Sequence, residues 1–348
     1  MPIHRRWESP IGSGEHEVRA GSFHAVAMGP AFVVVCNGSI AVDYFLQNVV
    51  NALQWGSFYA LIALGYSMVY SIMMVFNFAH GDVFMTGAYI GFGVATLLLA
   101  LAATLGLTLP GWTILSLTIV ISMVLTSFLG VLVERVGYRP LRDAPRASAA
   151  ITGLMIGIIL ETGNLAILGA RRLSFPELIQ STTYHLGGVF VTNKKILIVV
   201  VSLALMYALH WFIQKTRWGM AMRAMSFDFE MVPLMGVSLN VIAPLTFAIG
   251  SALAAAAGIL YGLAYPVLDP YMGVLLGWKA FVAAILGGRG SILGAALAGF
   301  LLGFIEIFVP MVFPSTLRDL IAYSIILLIL TFRPYGFFGQ AHSTQLRL

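Results

Sequence analysis

The sequence predicts an all-α integral membrane protein of eight to nine transmembrane helices, and three observations carry that expectation. Of 348 residues, 59% are hydrophobic and only 9% are charged, with a mean hydropathy of +0.93; an ordinary soluble domain carries about 25% charged residues. The charges are also confined, because none falls between Asp43 and Asp82, from Val83 to Val133, or from Met231 to Leu268. A bilayer-spanning helix needs about 20 apolar residues, so these gaps have room for one, two and one helices respectively. Finally, a charge at the bilayer centre costs at least ~2.5 kcal/mol, which explains why the charges cluster in short connections.

Taken in order, the apolar runs predict spans at 45–72, 80–103, 113–134, 148–169, 195–213, 241–264, 292–309 and 318–332, with a shorter apolar piece at 274–288. Leu109-Pro-Gly111 separates the second span from the third, Pro310 and Pro314 bracket the last turn on the outer side, and Arg333-Pro334 stops the final helix. Residues 1–42 differ from the rest: Arg5, Arg6, Glu8, Glu15, Glu17 and Arg19 precede a mildly apolar stretch broken by Gly29, Pro30, Asn37 and Gly38. This part is expected to be a disordered N-terminal extension, or to precede the true translation start, ahead of a membrane domain at 43–340.

Orientation follows from Lys and Arg in alternate loops. One side holds Arg135, Arg139, Arg142, Arg146, Lys215, Arg217, Arg223, Arg289 and Arg333; the other holds Arg171, Arg172, Lys194, Lys195 and Arg318. The richer side is expected to be cytoplasmic, with Tyr44 outside and the C-terminus inside, provided that 274–288 crosses the bilayer rather than re-entering it. The same distribution excludes nucleic acid as the partner implied by a net charge of +5, because the basic residues sit in short loops beside the lipid bilayer. Cys36 is the single cysteine, so neither an intramolecular disulfide nor a multi-cysteine metal site is available.

The most informative connection is 215–240. Met220, Met222, Met225, Phe227, Met231 and Leu234 interleave there with Arg223, Asp228 and Glu230, the pattern of a short amphipathic helix ended near Pro233 and Gly236. A methionine-rich face suits a partner groove, and an interfacial helix lying on lipid fits the same pattern.

Here the chain resembles the LivH-type permeases of branched-chain amino-acid ABC importers. The resemblance rests on Gly219-Met-Ala-Met-Arg-Ala, Asp228 and Leu234-Met-Gly-Val in this loop, on Gly56-Ser-Phe-Tyr-Ala-Leu-Ile-Ala-Leu-Gly-Tyr, on Asn77-Phe-Ala-His-Gly-Asp-Val, and on Glu134-Arg-Val-Gly-Tyr-Arg-Pro-Leu-Arg. Leu268-Asp-Pro-Tyr-Met-Gly, Lys279-Ala-Phe-Val-Ala-Ala-Ile-Leu-Gly-Gly-Arg-Gly-Ser and Phe332-Arg-Pro-Tyr-Gly-Phe-Phe-Gly complete it, from Asp43 to Gly339. It implies an ABC importer permease fold in the bacterial inner membrane, a second permease subunit, two ABC ATPase subunits carrying ATP and Mg, and a periplasmic solute-binding protein. It also implies a coupling role toward the ATPases for Gly219, Arg223, Asp228, Met231, Leu234 and Gly236. The chain departs from the family pattern at Val232-Pro233, where small helix-forming residues are usual. Leu, Ile and Val are the expected solutes, with urea, short amides and aromatic acids as alternatives carried by related permeases.

The residues agree with that division of labour. No G-x-x-x-x-G-K-[ST] phosphate loop occurs, and Gly287-Gly-Arg-Gly-Ser lacks the lysine that reaches nucleotide phosphates, so the chain is not expected to be the ATPase and no cofactor is expected on it. The spans show no clustered His, Cys or acidic residues, so a transport subunit rather than an enzyme is expected. Candidate pathway residues are those that interrupt apolar sequence: Asn77, His80, Gly81 and Asp82, then Asp269, Pro270, Lys279, Gly287 and Gly288. A helix broken at membrane depth is tolerated only where the freed backbone is buried in protein or lines a cavity, although a plain turn with Gly81 as a helix stop fits 77–82 equally. No metal site is expected from His80 and Asp82 alone. Glu161, Asn164 and Glu306 are further polar groups inside spans, and Glu161 and Glu306 are the coupling acids of the rival reading, an ion-coupled secondary transporter. Gly87-x-x-x-Gly91, Gly153-x-x-x-Gly157 and Ala295-x-x-x-Gly299-x-x-x-Gly303 predict close helix packing.

Overall fold

The computed structural model describes residues 38–339, apart from 187, 228–230 and 289. The expected extension at 1–42 therefore lies almost wholly outside the described residues, as does Asp228. Among the described residues ten α-helices follow one another: α1 (Gly38–Met73), α2 (His80–Thr104), α3 (Gly111–Val133), α4 (Arg146–Leu168), α5 (Asn193–Lys215), α6 (Arg217–Phe227), α7 (Leu239–Ala264), α8 (Met272–Gly287), α9 (Ile292–Val312) and α10 (Arg318–Phe332). Among the described residues, eight helical segments are long and apolar enough to cross a membrane, and α8 is a ninth, shorter apolar helix of 16 residues. Apart from the earlier start of α1, the observed ends agree with the expected spans to within three residues. One difference is instructive. Pro310 does not end α9, which continues to Val312, because a proline in the last turn removes a single N–H bond.

Among the described residues, strands occur only in the connections. β1 (Leu173–Ser174) pairs antiparallel with β4 (Val267–Leu268), and β2 (Thr183–Leu186) forms a hairpin with β3 (Val189–Thr192). The hairpin packs on the first half of α1, where the Phe190 N–H donates to Gln47 Oε1 at 2.8 Å, and beside it Lys195 of α5 donates through Nζ to Asn51 Oδ1 at 2.6 Å. At the opposite end lie α6, the end of α1, the start of α9 and the chain's last described turn, where the Phe337 N–H donates to the Leu286 carbonyl at 2.9 Å and the Phe338 N–H to that of Gly287 at 3.1 Å.

α1 and α7 are the centre, since most of each is buried, whereas α4, α5 and α10 are peripheral. The three small-residue stripes all fall on close crossings. A Cβ added to Gly299 or Gly303 would lie 2.5 Å from the Cα of Ala60 or Gly56 on α1, and one added to Gly87 would lie 2.6 Å from the Cα of Ala255 on α7. Without a hydrophobic driving force between helices in lipid, such backbone approach supplies the dispersion energy that holds the bundle.

Two helices begin inside the bundle. His80, the first residue of α2, packs against Gly65, eight residues before α1 ends, and against Gly250, eleven residues into α7; at 1.5 Å per residue that is roughly 12 and 16 Å from the respective helix ends. The chain reverses at Met74, whose φ of 53° is left-handed, a conformation a non-glycine residue adopts at a cost. Residues 74–79 then climb back along α1. On the hairpin side, β4 leads down into α8, whose first turn meets α2 at Gly81 and Met85, while its C-terminal Gly287 reaches the α6 end against Gly294. α8 therefore starts at depth yet delivers the chain to the far end, so the alternation of ends on which the orientation count relies is kept.

Gly303→Leu is expected to lower the thermal unfolding midpoint of the detergent-purified protein by an amount corresponding to at least about 1–3 kcal/mol of overpacking. Gly93→Leu, where an added Cβ meets nothing within 4 Å, should leave it unchanged. Equal midpoints for the two variants would contradict the assigned α1–α9 crossing.

Candidate functional site

The sequence at 77–82 builds the break that opens α2. Asn77 Oδ1 accepts from the Ala79 N–H at 3.2 Å and from the Tyr138 hydroxyl at 3.0 Å, and the His80 N–H donates to the Asn77 carbonyl at 3.0 Å. The freed backbone is thus satisfied internally, as a lipid environment requires. Tyr138 lies in a π-turn, Glu134–Tyr138, that continues α3. The same motif closes on itself: fully buried Glu134 pairs with Arg142, whose other nitrogen donates to Asn240 at the start of α7 at 2.7 Å. Two of the sequence passages that carry the family resemblance therefore hold each other in place.

Glycines set the crossing of α2 and α8. A Cβ on Gly81 would lie 2.9 Å from the Gly277 Cα, and one on Gly273 would lie 3.0 Å from Asp82 Oδ1. Beside that crossing is a cavity of about 190 Å³. Gly81 and Asp82 line it from α2, Glu161 with Leu154 and Ile158 from α4, and Gly273, Gly277 and Trp278 from α8. Tyr66, Phe78 and Phe281 supply the remaining aromatic wall, with the Phe78 and Phe281 ring centroids 5.2 Å apart and those of Trp278 and Phe281 5.8 Å apart. Asp82 is 8% exposed and its Oδ1 has no hydrogen-bond partner.

The other pathway candidates fall outside this cavity. Asn77 and His80 are buried just behind it, and Asn164 Nδ2 ties α4 to α2 through Thr86 Oγ1 at 3.0 Å. Asp269 accepts from the Tyr271 N–H at 2.9 Å and pairs with Arg172 at 3.2 Å on the hairpin side, preceding buried Pro270. Gly287 and Gly288 form the turn from α8 to α9 against which Gly339 packs. Lys279 projects to the far side of α8, where its Nζ lies 2.8 Å from Glu306 and 3.0 Å from Asp319. The Tyr59 hydroxyl donates to Glu306 at 2.5 Å, and Arg318 stands 3.6 Å from it. Sequence reasoning named Lys279 and Glu306 separately and missed that they pair; it also missed Tyr66, Phe78, Trp278 and Phe281, although Tyr66, Phe78 and Phe281 lie in passages that carry the resemblance and Trp278 adjoins Lys279.

The described parts of the loop singled out at 215–240, namely 215–227 and 231–240, lie at the end opposite the hairpin. Gly219 permits the sharp turn from α5 into α6, where a Cβ would lie 2.5 Å from the Ile213 Cα, and its N–H donates to Thr216 Oγ1 at 3.0 Å. Arg223 is turned back onto Gln214, 3.2 Å from its carbonyl and 2.5 Å from its Oε1. Met222 and Met225 are buried, whereas Trp218, Met220, Phe227, Met231, Leu234 and Met235 are exposed. Gly236, with φ of +84°, ends the short 3-10 turn Val232–Met235 that presents Leu234 and Met235.

Removing one partner of a buried ion pair leaves an uncompensated charge and costs about 3–5 kcal/mol. Lys279→Met is therefore expected to destabilise strongly, while Lys279→Met combined with Glu306→Gln, which keeps an acceptor for Tyr59, should recover more than half of the loss. Additive losses in thermal unfolding would show that the two side chains act independently.

With the geometry in place, similarity to known proteins can be stated. The family described as branched-chain amino acid transport system / permease component matches residues 48–330. The chain is 42% identical over 303 residues to the high-affinity branched-chain amino acid transport system permease protein BraD of Pseudomonas aeruginosa, covering 86% of this chain and 97% of that protein. It is 37% identical over 301 residues to LivH of Escherichia coli K12, covering 85% and 96%. A more distant relative, the ribose import permease RbsC of Haemophilus influenzae, is 22% identical over 326 residues, covering 91% and 93%. No solved structure matches. A family match across most of the membrane domain, joined to near full-length relatives, identifies this multi-pass membrane chain as a member of the permease-component family of branched-chain amino acid transport systems.

Proposed function

We propose that the chain is the permease subunit of an ATP-driven importer of branched-chain amino acids in a bacterial inner membrane. In this reading it works with a second permease, two ATPase subunits that bind ATP and Mg, and a periplasmic solute-binding protein. The observation that carries the solute class is the near full-length similarity to BraD and LivH, both named for branched-chain amino acid transport.

The geometry supports the rest. α6 is held to α5 by Gly219 and Arg223 and presents Phe227 outward, while the 3-10 turn Val232–Met235 presents Leu234, 82% exposed, and Met235, 86% exposed. Large apolar side chains displayed beside a charged loop suit a protein groove, and the basic-rich end that carries them is the one expected to face the cytoplasm. The inner side of α6 bears on the rest of the bundle: Met222, Arg223 and Ser226 border a small cleft with Met68, Ser71 and Ile72 near the end of α1 and Ile292 at the start of α9. A push on α6 is therefore delivered to the helix whose end reverses at Met74 into the cavity wall. This is a mechanical route from an external motor to the candidate pathway around Asp82.

The ion-coupled alternative loses support from the same geometry. Of its two acids, Glu306 is already occupied by Lys279 and Tyr59, which leaves Glu161 alone.

Reconstituted with its partners, the protein is expected to take up leucine only with ATP, and dissipating ion gradients should not change the rate. Leu234→Asp with Met235→Asp should leave the chain inserted yet cut uptake by roughly tenfold or more, as loss of central interface residues does. Gly236→Trp, which places a side chain at a left-handed position, should act in the same direction. Normal uptake by these variants would remove the coupling role from this surface.

A further inference from the structure

We propose that Asp82 and Glu161 form the receptor for the ammonium group of the transported solute, with the aromatic wall of the same cavity receiving its aliphatic side chain. This rests on the import reading above and deepens it, because it assigns the recognition chemistry inside the membrane to named atoms.

The carboxylates are the first argument. Asp82 sits in the first turn of α2, where the helix N-terminus favours a negative charge. It lines the cavity while more than nine-tenths buried, and its Oδ1, enclosed beside Gly273, has no hydrogen-bond partner in the protein. Glu161 lines the same cavity from α4, and the lining includes neither lysine nor arginine. Buried acids in a membrane protein are normally compensated. The chain shows that it can do so, since buried Glu306 is matched by Lys279, on the far side of α8, and by Arg318. At the cavity the protein supplies two acids and leaves the cation to come from elsewhere.

The second argument is the wall. Phe78, Trp278 and Phe281 are clustered with centroid separations of 5.2 to 5.9 Å. Such a surface receives an aliphatic chain by contact, and its ring faces attract a cation within about 6 Å. Apolar walls with a few convergent polar groups are the usual composition of a small-molecule site. Size is the third argument: a cavity of about 150 Å³ holds benzene, so 190 Å³ accommodates a solute as large as an aliphatic amino acid. A divalent cation fits less well. It would need several more oxygen ligands, whereas the other walls are aromatic, aliphatic and glycine.

The test uses the intact transporter in nanodiscs without the solute-binding protein, with radiolabelled L-leucine as the probe. Saturable binding is expected, displaced by 3-methylbutylamine and not by 4-methylpentanoate, which keeps the carbon chain but lacks the ammonium. Asp82→Asn should weaken leucine binding by roughly tenfold or more, the scale of a lost charge-assisted hydrogen bond. Asp82→Glu should retain part of it, and Glu161→Gln, on peripheral α4, supplies a second variant less able to disturb folding. No saturable binding, equal displacement by the amine and the acid, or unchanged affinity in both the Asp82→Asn and Glu161→Gln variants would overturn the proposal. ATP-driven leucine uptake by the complete system separates the two readings. Uptake that persists while leucine fails to bind the cavity sinks only the receptor; amine binding without leucine uptake sinks the import reading and leaves the cation site.

Discussion

The bilayer has no water with which to satisfy a broken backbone, and this protein breaks two of its helices at depth. That constraint organises the rest. Where α2 begins, Asn77 supplies its own side chain as an acceptor for the Ala79 N–H and takes the Tyr138 hydroxyl as a second donor. Where α8 begins, Asp269 accepts from the Tyr271 N–H through its side chain and from the Met272 N–H through its carbonyl. The two starts can then approach only because Gly81, Gly273 and Gly277 carry no Cβ. Irregular backbone at membrane depth is tolerated where protein or a cavity surrounds it, and here both surround it.

The membrane also separates two kinds of buried charge. Glu306 is enclosed by Lys279, Arg318 and Tyr59, and Asp319 pairs with the same two cations, so four helices are pinned by a network whose two positive and two negative charges cancel. Networks of this kind hold a bundle together because removing either sign leaves the other stranded. The cavity that Asp82 lines holds neither lysine nor arginine, and the buried Oδ1 has no hydrogen-bond partner. One acidic site is matched by the chain's own cations and the other is not, and this contrast separates a structural cluster from the proposed binding site more clearly than residue type does.

Much of this architecture is legible in the sequence, and the limits are physical. Gaps between charges locate the spans because lipid penalises a charge wherever it stands, so the signal is local. Interrupting residues at 77–82 are visible for the same reason, as are the small-residue stripes, all three of which lie at crossings. The short amphipathic α6 is readable from its methionine spacing, although which methionines turn inward is not. What sequence cannot convey is register between distant helices. Lys279 lies 27 residues from Glu306 and 40 from Asp319, and nothing in any of those segments says that α8 turns its lysine away from the cavity. Glu134 and Arg142 close one motif at a separation of eight residues, yet the π-turn that brings them together leaves no mark in composition. The depth at which α8 starts is likewise set by its glycine contacts with α2 rather than by its own hydropathy.

The same breaks explain how a motion at one end could be felt in the middle of the bilayer. A continuous helix resists bending, so a push along it moves the whole rod. α1 ends instead in a left-handed residue, Met74, and its chain doubles back through Phe76 and Phe78 to His80. Phe76 stacks on Tyr70 of α1 with centroids 4.2 Å apart and meets Phe281 of α8 at 4.9 Å. A displacement of the α1 end is therefore shared with α8 through aromatic contacts, while the strained turn at Met74 gives the segment a place to hinge. Because Phe78 and Phe281 are themselves cavity walls, the contacts that would carry the motion are the contacts that set the cavity's width. Coupling and recognition then need no separate relay, since one short re-entrant segment belongs to both.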